Sequence, residues 1–195
     1  MSTTNLFVEL IVIGVGASVW LVLIVFSVFG YAWVRIDHLL SPYAAVPILA
    51  VIYVLGIVSD RIADAIFECM WSEDMRESYF RDRTEYYKAR KLILTGSERV
   101  SDLLEYGRSR LRICRGWAFH SILIAIGLNT FLWTRLSNRP STWSISIFGS
   151  FSLLVFALAA WFAWRKLAHS EYRKIREQVD FVVHHKSKQD EGEKI

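Results

Sequence analysis

The chain has 195 residues, 53% of them apolar, and a formal net charge of +4; its mean hydropathy is +0.30. An ordinary soluble domain holds about 45–50% apolar residues, and here the excess is gathered into four charge-free blocks separated by strongly charged ones. That distribution excludes a secreted disulfide scaffold, a disordered chain and an ordinary soluble enzyme, and predicts an all-α integral membrane protein with four transmembrane helices.

The first block covers residues 10–34. It exceeds the ~7–15 residues of a signal-peptide apolar region, and Met1-Ser2-Thr3-Thr4-Asn5 before it carries no Lys or Arg, so it is expected to be a retained helix. Glu9 opens it, on a helical face that also holds Gly16, Trp20 and Ser27. A carboxylate there suits the helix dipole. Glu9, Gly16 and Ser27 are also the residues that would line a pore, if one exists. The second block covers residues 39–59. Each block is long enough for the ~20 residues that cross a bilayer core, the third only marginally. Inside lipid the backbone must satisfy its own hydrogen bonds, which requires helices.

The second block closes on Ser59-Asp60-Arg61-Ile62-Ala63-Asp64, with Glu68 continuing the every-fourth-residue face of Asp60 and Asp64. Residues 69–115 then form a charged segment without proline, broken at Thr95-Gly96-Ser97. Before the break, Met75, Tyr79, Tyr86, Ala89 and Ile93 keep helical spacing and Asp82 interrupts them; after it, Val100, Leu103, Leu104, Gly107, Leu111 and Cys114 form a second stripe. Gly96 is a helix stop and Ser97 an N-cap by residue type. This predicts a cytoplasmic helical hairpin whose arms continue the second and third membrane helices.

The third and fourth blocks cover residues 116–134 and 140–164. The tail, 165–195, carries a stripe of Ala168, Tyr172, Ile175, Val179 and Val182 and predicts a cytoplasmic helix, packed on the hairpin or on a neighbouring tail, with a disordered end from His184. The organisation is therefore 6–68 for the first two spans, 69–115 for the hairpin, 116–164 for the last two spans and 165–195 for the tail.

Lys and Arg set the orientation. The links between blocks one and two and between three and four hold only Arg35, Arg135 and Arg139, whereas the hairpin and tail hold most of the remainder. Hairpin and tail then face the cytoplasm, and with four spans so does the N-terminus; the membrane is the inner or plasma membrane. Trp33, Trp133 and Trp143 mark the outer interface; Trp71, Trp117, Trp161 and Trp164 mark the inner one. Trp20 falls near mid-membrane, as a packing residue.

The informative polar residues form an intramembrane charge cluster of Asp60, Arg61, Asp64, Arg108, Arg112 and Arg115. Antiparallel register pairs Asp60 with Arg115 or Arg112, and Asp64 with Arg112 or Arg108. Such groups cost ~2.5–3.5 kcal/mol at a helix centre and pair wherever they can. The cluster reads as a clamp between two helices, or as a charged ring at a pore mouth. Small residues Gly14, Gly16, Ser18, Ser146, Gly149 and Ser150 permit close helix approach.

Arg115-Gly-Trp-Ala-Phe-His120 is similar to the Arg-x4-His signature of HEPN-type ribonucleases. The pattern fixes two positions in six, and His120 falls inside an apolar block where RNA does not reach. It is read instead as bonded to a neighbouring helix. A reducing cytoplasm argues against a disulfide between Cys69 and Cys114, and His184-His185 lack further ligands, so no metal or cofactor is expected. No phosphate loop, nucleophile elbow or His-Glu-x-x-His appears, so no enzyme is expected. Acidic residues interleave with the basic ones, and no nucleic-acid partner is expected.

Two functions remain. One is an ion-conducting channel or pore, built as a homo-oligomer because four short spans leave one chain little room for an aqueous path. The other is a membrane anchor or sensor whose cytoplasmic stalk docks a soluble partner, in a setting such as bacterial stress or antiviral defence.

Overall fold

A computed structural model describes the backbone of residues 3–34, 42–96 and 98–192, and the side chains of 6–34, 43–71, 73–93 and 106–179. It is 90% helical, with no strand among the described residues. The elements are α1 (Thr3–Phe29), α2 (Pro42–Phe67), a π-helical turn (Glu68–Ser72), α3 (Glu73–Glu77), α4 (Arg83–Gly96), α5 (Glu98–Arg135) and α6 (Thr142–Gly192). Among the described residues four segments are long and apolar enough to cross a membrane: Leu6–Phe29, Tyr43–Trp71, Tyr106–Arg135 and Thr142–Val179.

The chain divides into two compact units, Met1–Ala65 with Arg112–Ala163, and Ile66–Leu111 with Trp164–Ile195. In the first unit α1 stops before its apolar run does. Gly30 adopts φ +75°, a left-handed conformation that costs glycine nothing, and its N–H still donates to the Phe26 carbonyl at 3.0 Å. Trp33 donates its indole N–H to the Gly30 carbonyl at 2.8 Å. Residues 31–34 therefore form a turn, not the last turn of a helix.

Glycines bring the helices of this unit together. A Cβ on Gly14 would overlap the Ile52 carbonyl, and one on Gly56 would overlap the Leu10 carbonyl, so α1 and α2 cross backbone to backbone. Between α1 and α5 the small residues come from both sides. A Cβ on Gly16 would lie 2.8 Å from the His120 ring, one on Gly116 3.2 Å from Ile13, and one on Gly127 3.3 Å from Leu23. Asn129 of α5 donates to Ser150 of α6 at 2.7 Å and accepts from Ser146.

The exposure pattern of the first unit is inverted relative to a soluble domain. Glu9, Ser27, Ser59, Asp60, His120, Ser121 and Ser146 are buried, while Val46, Phe148, Phe151 and Phe162 are at least 63% exposed. Water would strongly disfavour so many outward aromatic and branched side chains on two helices.

The second unit has its own core of Phe80, Ala89, Ile93 and Ile175, flanked by Tyr79, Tyr86, Tyr172 and Val179. The tail stripe thus packs on α4 and the turn before it in its own chain; the Val182 side chain lies outside the described residues. The first arm is not the single helix that its spacing predicts. A π turn, the short α3 and a turn at residues 78–82 precede α4. Asp82 is the reason. Its carboxylate accepts the Glu85 N–H at 2.6 Å, an N-cap that starts a helix, and the Glu85 carboxylate accepts the N–H of Arg81, the residue before the cap, at 2.6 Å. Phe67 and Trp164 meet edge to face at 4.8 Å, with Trp71 beside them. Trp164, expected at a lipid interface, is 3% exposed and belongs to this aromatic cluster. The polar end expected to be disordered from His184 is helical as far as Gly192; its Lys, Gln and Glu are good helix formers. Ser97 lies outside the described residues.

Candidate functional site

The first unit carries one ionic cluster, assembled from three helices. Asp60 and Asp64 sit one turn apart on α2 and so present their carboxylates to one partner. That partner is Arg115 of α5: Nη2 donates to Asp60 at 2.8 Å and Nη1 donates to Asp64. The Arg115 and Asp60 side chains are 11% and 7% exposed, whereas Asp64 is 42% exposed. Arg112, one turn earlier on α5, turns to α1. Its Nη1 lies 3.5 Å from Oε1 of Glu9, whose side chain is 1% exposed.

The expected register is corrected in two respects. Asp64 is bridged by Arg115, the same guanidinium that holds Asp60, because the planar fork of an arginine spans two carboxylates a turn apart. Arg112 is bound to Glu9, a residue that the spacing of α2 and α5 does not bring into view. Arg61 and Arg108 are both exposed, and Arg108 belongs to the second unit.

Further along the α1–α5 seam lies a second polar contact. Trp20 donates its indole N–H to Nδ1 of His120 at 3.3 Å, and the imidazole is fully buried. Indole is a donor only, so a neutral ring accepting at Nδ1 carries its proton on Nε2. Nε2 of His120, Oε2 of Glu9 and Nε of Arg115 are buried without a hydrogen-bond partner. Ile13, fully buried against Gly116, stands between the Glu9–Arg112 contact and the His120–Trp20 contact. The seam ends at Arg135, whose Nε donates to the Ser27 carbonyl at 3.0 Å and whose Nη2 donates to the Val28 carbonyl.

The three residues proposed to line a pore are all enclosed in one chain. Glu9 is paired, Gly16 lies under the His120 ring, and Ser27 is buried with its hydroxyl bonded to the Leu23 carbonyl at 2.7 Å. Cys69 and Cys114 form no disulfide. Among the described residues no group of three or more His, Cys, Asp or Glu side chains is placed to hold a metal ion.

No family model matches this chain, and neither a curated protein nor a solved structure matches it. The arrangement itself offers charge pairing and helix locking. Sequence reasoning placed His120 in a bond to a neighbouring helix, as found with Trp20 of α1, without naming that partner; it missed the Glu9–Arg112 contact. The available signal was the shared face of Glu9, Gly16 and Trp20, with Gly116 and Gly127 opening the opposite helix to receive it.

Proposed function

We propose that this protein is a multi-pass membrane anchor, with both termini in the cytoplasm, whose second unit is a helical stalk that docks a soluble partner. The inverted exposure of the first unit supports membrane insertion, and the Lys/Arg distribution supports the orientation. What favours an anchor over a pore is one observation: Glu9, Gly16 and Ser27 are all used in packing within the chain, and the buried carboxylates are held by arginines. A clamp of this kind fixes three helices where charge enters apolar surroundings.

A channel is the second reading, built as a homo-oligomer. It is favoured by the unpartnered Glu9 Oε2 and His120 Nε2, an acceptor and a donor buried in the same seam, since buried polar atoms of this kind recruit water. Planar-bilayer recording of the purified protein separates the two. The anchor predicts no unitary conductance above empty bilayers and a stable complex with a soluble protein through residues 66–111 and 164–195. A reproducible conductance that changes on Glu9→Gln refutes it in favour of the channel. Protease cleavage of tags at either terminus from the outer face of intact cells refutes the topology.

A further inference from the structure

We propose that His120 is a proton-operated latch between α1 and α5, closed while its imidazole is neutral and opened when the ring gains a second proton. The seam around the ring has no slack. A Cβ on Gly16 would lie 2.8 Å from Cδ2 of His120, so the ring rests on the α1 backbone. One turn earlier on α5, Gly116 seats Ile13 at 3.2 Å; two turns later, Gly127 seats Leu23 and the Trp20 carbonyl at 3.3 Å. The ring is held between these two close approaches and is 0% exposed. It accepts one hydrogen bond, from the Trp20 indole N–H to Nδ1 at 3.3 Å, and its Nε2 is buried without a partner.

Indole only donates, so the bond exists only while Nδ1 carries no proton. An imidazolium donates from both nitrogens. A second proton therefore sets N–H against N–H at Trp20 and buries a charge with no acceptor for it. No counterion stands ready. The titratable groups of this unit on the two helices of the seam are Glu9 on α1 and Arg112, Cys114, Arg115 and Arg135 on α5. The charged ones are engaged elsewhere: Glu9 with Arg112, Arg115 with Asp60 and Asp64, and Arg135 with the carbonyls of Ser27 and Val28. Beyond those aspartates α2 adds Tyr43, Tyr53 and Arg61, and α6 has no titratable residue from Thr142 to Ala163. Among the described residues none of the charged groups forms an ion pair with His120. The charged ring can then be satisfied only by water, and water enters only where α1 and α5 part. The closed seam holds the neutral ring and the parted seam accepts the charged one, so acidification favours parting.

The test uses the full chain in lipid nanodiscs. Spin labels are placed at Val19 and Ile122, which are exposed on α1 and α5 next in sequence to Trp20 and near His120, with Cys69 and Cys114 replaced by serine. Double electron–electron resonance is recorded at about pH 8 and about pH 4, either side of the ~6.5 of a free imidazole. The expected result is one distance at the higher pH and a second one at the lower, longer by ~3 Å, the width of one water. His120→Gln, whose amide oxygen still accepts from Trp20 and takes up no proton, is expected to keep the single distance at both. Parting that persists in His120→Gln assigns the acid response to Glu9, Asp60 or Asp64 and overturns the latch. A single distance in the parent at both pH values overturns it as well. Fluorotryptophan NMR reads the contact on the unmutated seam, with Trp20→Phe identifying the Trp20 line. That line is expected to move with the same midpoint as the parting; a line that stays still overturns the proposal even where His120→Gln fails to fold.

Discussion

Arg115 bridges two carboxylates of unequal burial: Asp60, 7% exposed, at 2.8 Å, and Asp64, 42% exposed. The inequality orders their contributions. Asp60→Ala leaves the Arg115 charge with only the partly hydrated Asp64 and is expected to destabilise by ~3–5 kcal/mol, as for a buried pair losing one partner. Asp64→Ala is expected to cost about 0–1 kcal/mol, because water screens and replaces that contact. Unfolding of the two variants in mixed detergent micelles measures the order; equal losses contradict it.

The Glu9–Arg112 pair is asymmetric in the other direction. Glu9 is 1% exposed and Arg112 23%. Arg112→Gln strands a buried carboxylate and is expected to cost ~3–5 kcal/mol. Glu9→Gln frees a guanidinium that already reaches solvent and is expected to cost about 1–2 kcal/mol. The same micelle assay decides, and a larger loss for Glu9→Gln defeats the assignment.

Glycines differ in what stands against them. Gly14→Ala and Gly56→Ala drive a methyl into a backbone carbonyl, which cannot yield without separating α1 from α2; losses of roughly 2–3 kcal/mol or more are expected. Gly149→Ala meets only Cδ2 of Leu128, at 2.8 Å, the end of a side chain that can rotate, and is expected to stay within about 1 kcal/mol of the parent. Cysteine cross-linking of α1 to α2 in each variant reports the separation directly.

Asp82→Ala removes the acceptor for the Glu85 N–H and is expected to cost ~1 kcal/mol, the usual worth of an N-cap. The loss is local. Amide exchange should quicken at residues 83–86 of α4 and remain unchanged in α1 and the Arg112–Arg135 part of α5.

The four long apolar helices are legible in the sequence because lipid-length runs without charge admit few other structures, and one face for Asp60 and Asp64 follows from their spacing of four. Which arginine they meet does not follow. Register fixes Cα positions to about a turn, and an arginine side chain reaches further than a turn, so Arg115 takes both carboxylates and Arg112 goes to a third helix. Glu9 was legible as a helix-start carboxylate and illegible as half of a pair, since its partner lies 103 residues away and depends on which helix α1 packs against. Asp82 is different. Asp-x-x-Glu before an apolar run is a start signal in the sequence itself, outweighed in the reading by a stripe that continued on both sides of it.

Arg135 gives the chain an order of assembly. The carbonyls of Ser27 and Val28 near the end of α1 accept from a guanidinium more than a hundred residues downstream. Until α5 is made, those two acceptors have no guanidinium to meet them. A chain truncated before Arg135 is therefore expected to hold the end of α1 against α5 less tightly than one that includes it, which cysteine cross-linking between the two helices measures. Arg135 thus closes a contact that only the later part of the chain can supply.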